Sequence, residues 1–72
     1  MHHETLISTL KARRDMLKVN QEVLADLSGV GLRTLKAFES GKGNPTLETL
    51  QKLGDAVGLE LVFQVKKRAT ER

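Results

Sequence analysis

Between Gly29 and Asn44 the charged residues are Arg33, Lys36, Glu39 and Lys42, so cations dominate this stretch. On a helix, Arg33 and Lys36 share one stripe with Leu32 and Ala37, facing away from Leu35 and Phe38. A guanidinium and an ammonium offer hydrogen-bond donors and positive charge but no acceptor, which suits them to holding an anionic or acceptor-rich partner. Covalent chemistry finds little material elsewhere. The only histidines, His2 and His3, are adjacent near the start of the chain, and there is no cysteine to serve as nucleophile or thiolate ligand. The segment "SGKGN" lacks the Gly-x-x-x-x-Gly-Lys-Ser/Thr spacing of a phosphate loop, and "GVGLRT" lacks the third glycine of a dinucleotide fingerprint. No nucleophile, base and orienting acid can be assembled from spacing, so the sequence predicts no enzyme, no cofactor and no metal site.

Composition sets outer bounds. Twelve Lys and Arg against nine Asp and Glu give a formal charge of +3 over 72 residues, a mild basic bias that permits a nucleic-acid partner without requiring one. A chain of this size buries only about 60% of its unfolded surface, which makes one core marginal and a partner chain an expected source of further stability. The lack of cysteine points away from a disulfide-stapled secreted domain and toward the cytoplasm. No apolar run approaches the length of a membrane span, and the opening "MHHETLISTLKARR" lacks the basic-then-apolar order of a signal peptide.

Four helices are legible. From Glu4 to Leu17, Leu6, Ile7, Leu10 and Leu17 fall on one stripe. Arg13 and Arg14 both lie beside it, and periodicity does not decide which turns inward. Asn20 is a good cap for a second helix, Gln21 to about Ser28, which Gly29 ends by taking a left-handed conformation. Gly31 opens a third helix, Leu32 to Ser40, closed by Gly41. In "KGNPT", Pro45 disfavours helix at Asn44 and Thr46 can cap a fourth helix whose stripe is Leu47, Leu50, Leu53 and Val57, stopped by Gly58. The period then changes. In "LELVFQV", Leu59, Leu61, Phe63 and Val65 alternate with Glu60, Val62 and Gln64, as in a strand with one face on a core.

The lone strand has edges that call for a partner, and the simplest one is the same strand of a second subunit about a two-fold axis. A homodimer joined by an antiparallel ribbon through Leu59, Leu61, Val62, Phe63 and Val65 is therefore expected. The alternative is a tail packed on its own domain. One domain is predicted over residues 4–66, with the dimerisation strand at 59–66 and a flexible basic tail at 67–72. The fold class is all-α with a short C-terminal strand.

The second and third helices are joined by only a few residues around "SGVG", so they must cross steeply and closely. Ala25 permits the approach, Gly29 permits the turn, and Leu24, Val30, Leu35 and Phe38 fill the angle: a helix-turn-helix, whose second helix suits a DNA major groove. The ordered set Gln21, Leu24, Ala25, Gly29, Val30, Leu35, Phe38, Glu39, Gly41, Asn44, Pro45 and Leu47 resembles the XRE family of helix-turn-helix regulators, related to phage lambda-type repressors, over about Leu10 to Leu59. The strand directly after helix four further resembles HipB-like antitoxins.

By position, the resemblance implies that Gln21 contacts a phosphate and that Thr34, Lys42 and Asn44 lie near the sugar-phosphate backbone. It places Leu32, Arg33, Lys36 and Ala37 toward the bases. Arg33 suits a guanine, donating two bonds to O6 and N7, while Lys36 can do the same or hold a phosphate. Leu32 and Ala37 offer apolar contact to thymine methyls. Glu39 matches a position that pairs with an arginine of helix one, here Arg14, leaving Arg13 the freer of the two. Lys18 stands where the family often has glycine, Gly31 replaces a Ser or Thr cap, and Gly54 replaces an alanine at a cost of about 1 kcal/mol unless another backbone approaches there.

The implied partners are double-stranded DNA carrying an inverted-repeat operator, a second copy of the chain and, on the HipB-like resemblance, a HipA-like kinase toxin. The resemblance thus implies a sequence-specific DNA-binding transcriptional repressor, the autoregulating antitoxin of a HipB-like toxin-antitoxin pair; a stand-alone regulator without a toxin and a protein-interaction module reusing the fold are the alternatives. Acids on the outer stripe of helix three would favour the latter, and the stripe carries cations. RNA is disfavoured because the two Phe are the sole aromatics, both expected in the core, leaving no stacking platform.

Overall fold

A computed structural model of the chain describes residues 4–66. It contains α1 (Glu4–Met16), α2 (Gln21–Ser28), α3 (Leu32–Glu39) and α4 (Leu47–Ala56), each within a residue of the expected span. Helix α2 packs against both α3 and α4, and α1 packs against α3. Leu10, Leu24, Ala25, Val30, Leu35, Phe38, Leu53 and Val57 form the core between them. Leu24, Leu35 and Leu53 are wholly enclosed. Leu10, Leu53 and Val57 lie on the stripes that the 3.6-residue period picks out, and Leu6, Ile7 and Leu50 pack against them, but Leu17 and Leu47, also expected there, sit at helix ends and are exposed. In a chain this small burial of the core is the main favourable term.

Capping follows the sequence. Asn20 Oδ1 accepts from the Val23 amide at 2.8 Å, and Thr46 Oγ1 accepts from the Thr49 amide at 3.1 Å. Helix α3 starts at Gly31 without a side-chain cap. Its eight residues are too short to be helical alone, so packing must hold it.

Helices α1, α3 and α4 end in the same way. The second residue past the cap donates back to the last turn: Val19 to Arg14 at 2.9 Å, Lys42 to Ala37 at 2.8 Å and Leu59 to Gly54 at 2.8 Å. A shorter bond nests inside each, from Lys18 to Asp15, Gly41 to Phe38 and Gly58 to Asp55. This pattern requires a left-handed residue at the turn, supplied by Gly41 (φ 84°) and Gly58 (φ 76°) but by Lys18 (φ 59°) after α1. Gly54 has a different reason. A Cβ there would lie 2.9 Å from the Leu59 carbonyl oxygen, so a backbone does approach and the methyl has no room.

The C-terminal segment departs from expectation. Among the described residues there is no strand, and from Glu60 to Lys66 no amide donates to a backbone carbonyl. A ladder needs a second strand, and the described residues contain no other segment outside the helices that could pair with this one. Leu59 packs on the core and Leu61 is half-buried, but the alternation stops being used there: Val62 and Val65 are exposed and Phe63 is fully so. Packing on its own domain thus reaches only to Leu61. The tail from 67 to 72 lies outside the described residues. No helix among them is long and apolar enough to cross a membrane.

Two substitutions test these ends. Lys18→Gly relieves a left-handed lysine and should stabilise by roughly 0.5–1 kcal/mol, a rise of several degrees in Tm for a domain this small. Gly54→Ala, normally stabilising inside a helix, should instead lower Tm because its methyl meets the Leu59 carbonyl. Thermal unfolding followed by circular dichroism reads both signs.

Candidate nucleic-acid interface

The outer face of α3 is held by an ionic contact beneath it. Glu39, at the end of α3, is buried with its side chain 4% exposed, and Arg14 of α1 meets it at 14% exposure. Arg14 Nε donates to Glu39 Oε2 at 3.0 Å and Nη2 donates to Oε1 at 2.9 Å, a two-bond fork that fixes direction as well as distance. Arg14 Nη1 donates to the Val19 carbonyl at 3.0 Å, and Gln21 Nε2 donates to Glu39 Oε1 at 2.9 Å. One carboxylate thus ties α1, the α1–α2 turn and the first residue of α2 to α3. The hydrogen bonds that Arg14 donates to Glu39 raise the Arg14 pKa above its ordinary value, against the opposing effect of burial. The guanidinium therefore keeps its charge across the working pH range.

Arg14 is thereby the partner of Glu39, and Arg13, the freer of the two, is nonetheless engaged. Its Nε donates to the Val57 carbonyl at 2.7 Å, laying a cation across the carboxyl end of α4, where the helix dipole favours it. Both arginines brace α1, one to α3 and one to α4. Periodicity left them unresolved because each reaches out from the side of the apolar stripe and neither points along it.

Above this brace the expected contact residues fall on two flanks of α3. Arg33 and Thr34 are exposed and share a shallow concavity with Ala37, Lys42, Gly43 and Asn44. Lys42 is held there because its amide is bonded to the Ala37 carbonyl. Lys36, also exposed, lies on the other flank, in a concavity with Lys11, Arg14 and Gln21. Gln21 gives one amide hydrogen to Glu39. Leu32 is half-buried and packed against the core, and Ala37 is half-buried, so the exposed part of the stripe is mainly Arg33, Thr34 and Lys36. Lys11 was missed by sequence reasoning. It belongs to the polar side of α1, and nothing in the spacing says that this side borders α3.

The groups gathered around α3 are donors and cations on a short, braced helix set across α2, which defines a helix-turn-helix. Comparison with known proteins places it further. The helix-turn-helix family model matches residues 10–64, most of the chain, and the chain belongs to this family, in its XRE type. The family is one of regulators, not of enzymes. The cryptic phage CTXphi transcriptional repressor RstR of Vibrio cholerae serotype O1 is 36% identical over 52 residues, covering 72% of this chain and 46% of that protein. An RstR from Vibrio cholerae is 38% identical over 64 residues, covering 89% of this chain and 55% of that protein. The chain spans about half the length of these curated relatives.

The brace can be tested apart from any ligand. Arg14→Met alone leaves Glu39 buried without its countercharge and should cost about 3–5 kcal/mol, much of the stability of so small a domain. Arg14→Met combined with Glu39→Leu should recover most of that loss. Urea unfolding of the single and double variants measures the difference.

Proposed function

We propose that this chain is the DNA-binding unit of a dimeric, sequence-specific transcriptional repressor. The observation that carries the proposal is the outer face of α3, where Arg33, Thr34 and Lys36 stand exposed while the opposite face is buried and locked through Glu39. In this reading α3 enters the major groove. Arg33 donates to a guanine, Lys36 reaches a second base or a phosphate, and Ala37, with the exposed part of Leu32, meets thymine methyls. Gln21, Thr34, Lys42 and Asn44 hold the backbone on either side, setting register and affinity and leaving sequence choice to the groove-facing residues.

Two copies pair through residues 59–65 and present their α3 helices to successive major grooves about 34 Å apart, on one face of an inverted repeat. Occupancy of a promoter then excludes polymerase. Support for repression comes from the family and from the two repressor relatives; support for the dimer comes from the unpaired backbone and exposed apolar side chains after Leu61. Because both relatives are phage transcriptional repressors, the stand-alone regulator is placed ahead of the HipB-like antitoxin. The HipA-like kinase partner rests only on the apolar segment after α4. Failure of the chain to copurify with the product of a neighbouring gene would remove it.

The decisive experiment titrates the chain against DNA from upstream of its own gene and against a random duplex, at two salt concentrations. Tight binding confined to the upstream fragment supports the proposal, and equal binding to both at either salt sinks it. Arg33→Ala should relax discrimination at one base pair per half-site by about 1–3 kcal/mol. Lys42→Ala should weaken all sequences alike and reduce the salt slope by about one.

A further inference from the structure

Helices α1 and α4 leave an apolar groove between them that the side chains of the described residues do not fill. Its volume is about 120 Å³, and Leu6, Leu10, Phe38, Leu50, Leu53 and Leu61 are prominent in its lining. Thr9 sits at its edge and is exposed. An apolar cavity of about 150 Å³ is known to admit a benzene ring, so this groove is close to the size of one aromatic side chain. The chain has two phenylalanines. Phe38 is part of the groove wall, and Phe63 is wholly exposed two residues beyond Leu61.

Phe63 does not fill the groove of its own chain. In an extended run, alternate side chains on one face are spaced by about 6.6 Å, which carries Phe63 past the rim that Leu61 forms. A second copy brings it back. In an antiparallel ribbon whose two-fold axis passes through Val62, Phe63 lies directly opposite the partner's Leu61, and Leu59 lies opposite the partner's Val65. Side chains directly opposite are only about 4.5–5.5 Å apart, so each ring then covers the groove beside the partner's Leu61. This register uses every apolar residue from Leu59 to Val65, and it explains why a valine interrupts the polar face between Glu60 and Gln64: Val62 meets its own copy on the axis.

We infer that the groove between α1 and α4 is the docking site for Phe63 of a second copy of this chain, in the register that pairs Val62 with Val62. The inference rests on the dimeric reading above and goes beyond it in naming the pocket, the residue that fills it and the register. A shift of one step would instead centre the ribbon on Phe63 and set Glu60 opposite Lys66.

The absence of native cysteine makes the test direct. Val62→Cys and Phe63→Cys are each oxidised mildly and their cross-linked dimers compared on a non-reducing gel. Residues meeting on the axis come within disulfide range, so Val62→Cys should link at least about tenfold faster than Phe63→Cys. Sedimentation equilibrium then follows Phe63→Ala and Thr9→Arg, the latter placing a charge at the exposed mouth of the groove without entering the core. Each should raise the dimer Kd about tenfold or more, with helix content unchanged. A stable dimer that links faster through Phe63→Cys, or that is indifferent to Phe63→Ala and Thr9→Arg, would overturn the groove assignment and leave the dimeric repressor standing. A chain that stays monomeric at high micromolar concentration would remove both.

Discussion

The buried Glu39 carboxylate is the constraint around which the rest is arranged. Helix α3 is eight residues long, begins without a side-chain cap and spends one face on solvent. Burial of Leu35 and Phe38 draws it onto the core, but apolar contacts are non-directional and would tolerate a rolled or shifted helix. The fork between Arg14 and Glu39 is directional. It defines how α3 is turned about its own axis, and hence which side chains stand outside. A buried ion pair is a weak source of net stability because desolvating both charges is costly. Here its value lies in orientation, and the further donation from Gln21 leaves little of the carboxylate unsatisfied.

The helix ends complete that arrangement. Short connections leave the chain no freedom to correct a wrong exit angle, so each turn must be set locally. The paired bonds at the ends of α1, α3 and α4 do this with backbone groups alone. Arg13 adds a side-chain donor at the end of α4, where the chain leaves for Leu59. The same backbone geometry accepts glycine at Gly41 and Gly58 and a lysine at Lys18, which shows that the bonds and the packing beyond them can impose a left-handed residue where the side chain does not favour it.

Much of this was legible in the sequence because it depends on local rules. Apolar spacing located the four helices, Asn20 and Thr46 declared two starts, and the exception allowed for Gly54 is met by the Leu59 carbonyl. Arg14 as the partner of Glu39 came from family resemblance, and the fork bears it out. What escaped depends on tertiary reach. Arg13 has a long side chain whose acceptor, the Val57 carbonyl, is 44 residues away, and no pattern in its own helix encodes that. Lys11 borders α3 only because α1 crosses there. Leu32 sits at the boundary between the outer stripe and the core, where a helical wheel cannot choose. The alternation after Gly58 was plain, yet a strand is a property of two segments, and one segment specifies only half of it.

The bond from the Lys42 amide to the Ala37 carbonyl has a thermodynamic side. Fixing the backbone of one residue costs roughly 1–2 kcal/mol in entropy, and a flexible loop would meet that cost only when it closed on a ligand. Here the turn from Ser40 to Lys42 is ordered by folding itself, together with Gly41. On the proposed reading, a polyanion lying along α3 would find the backbone of Lys42 already in place, and only its side chain would have conformational freedom left to lose.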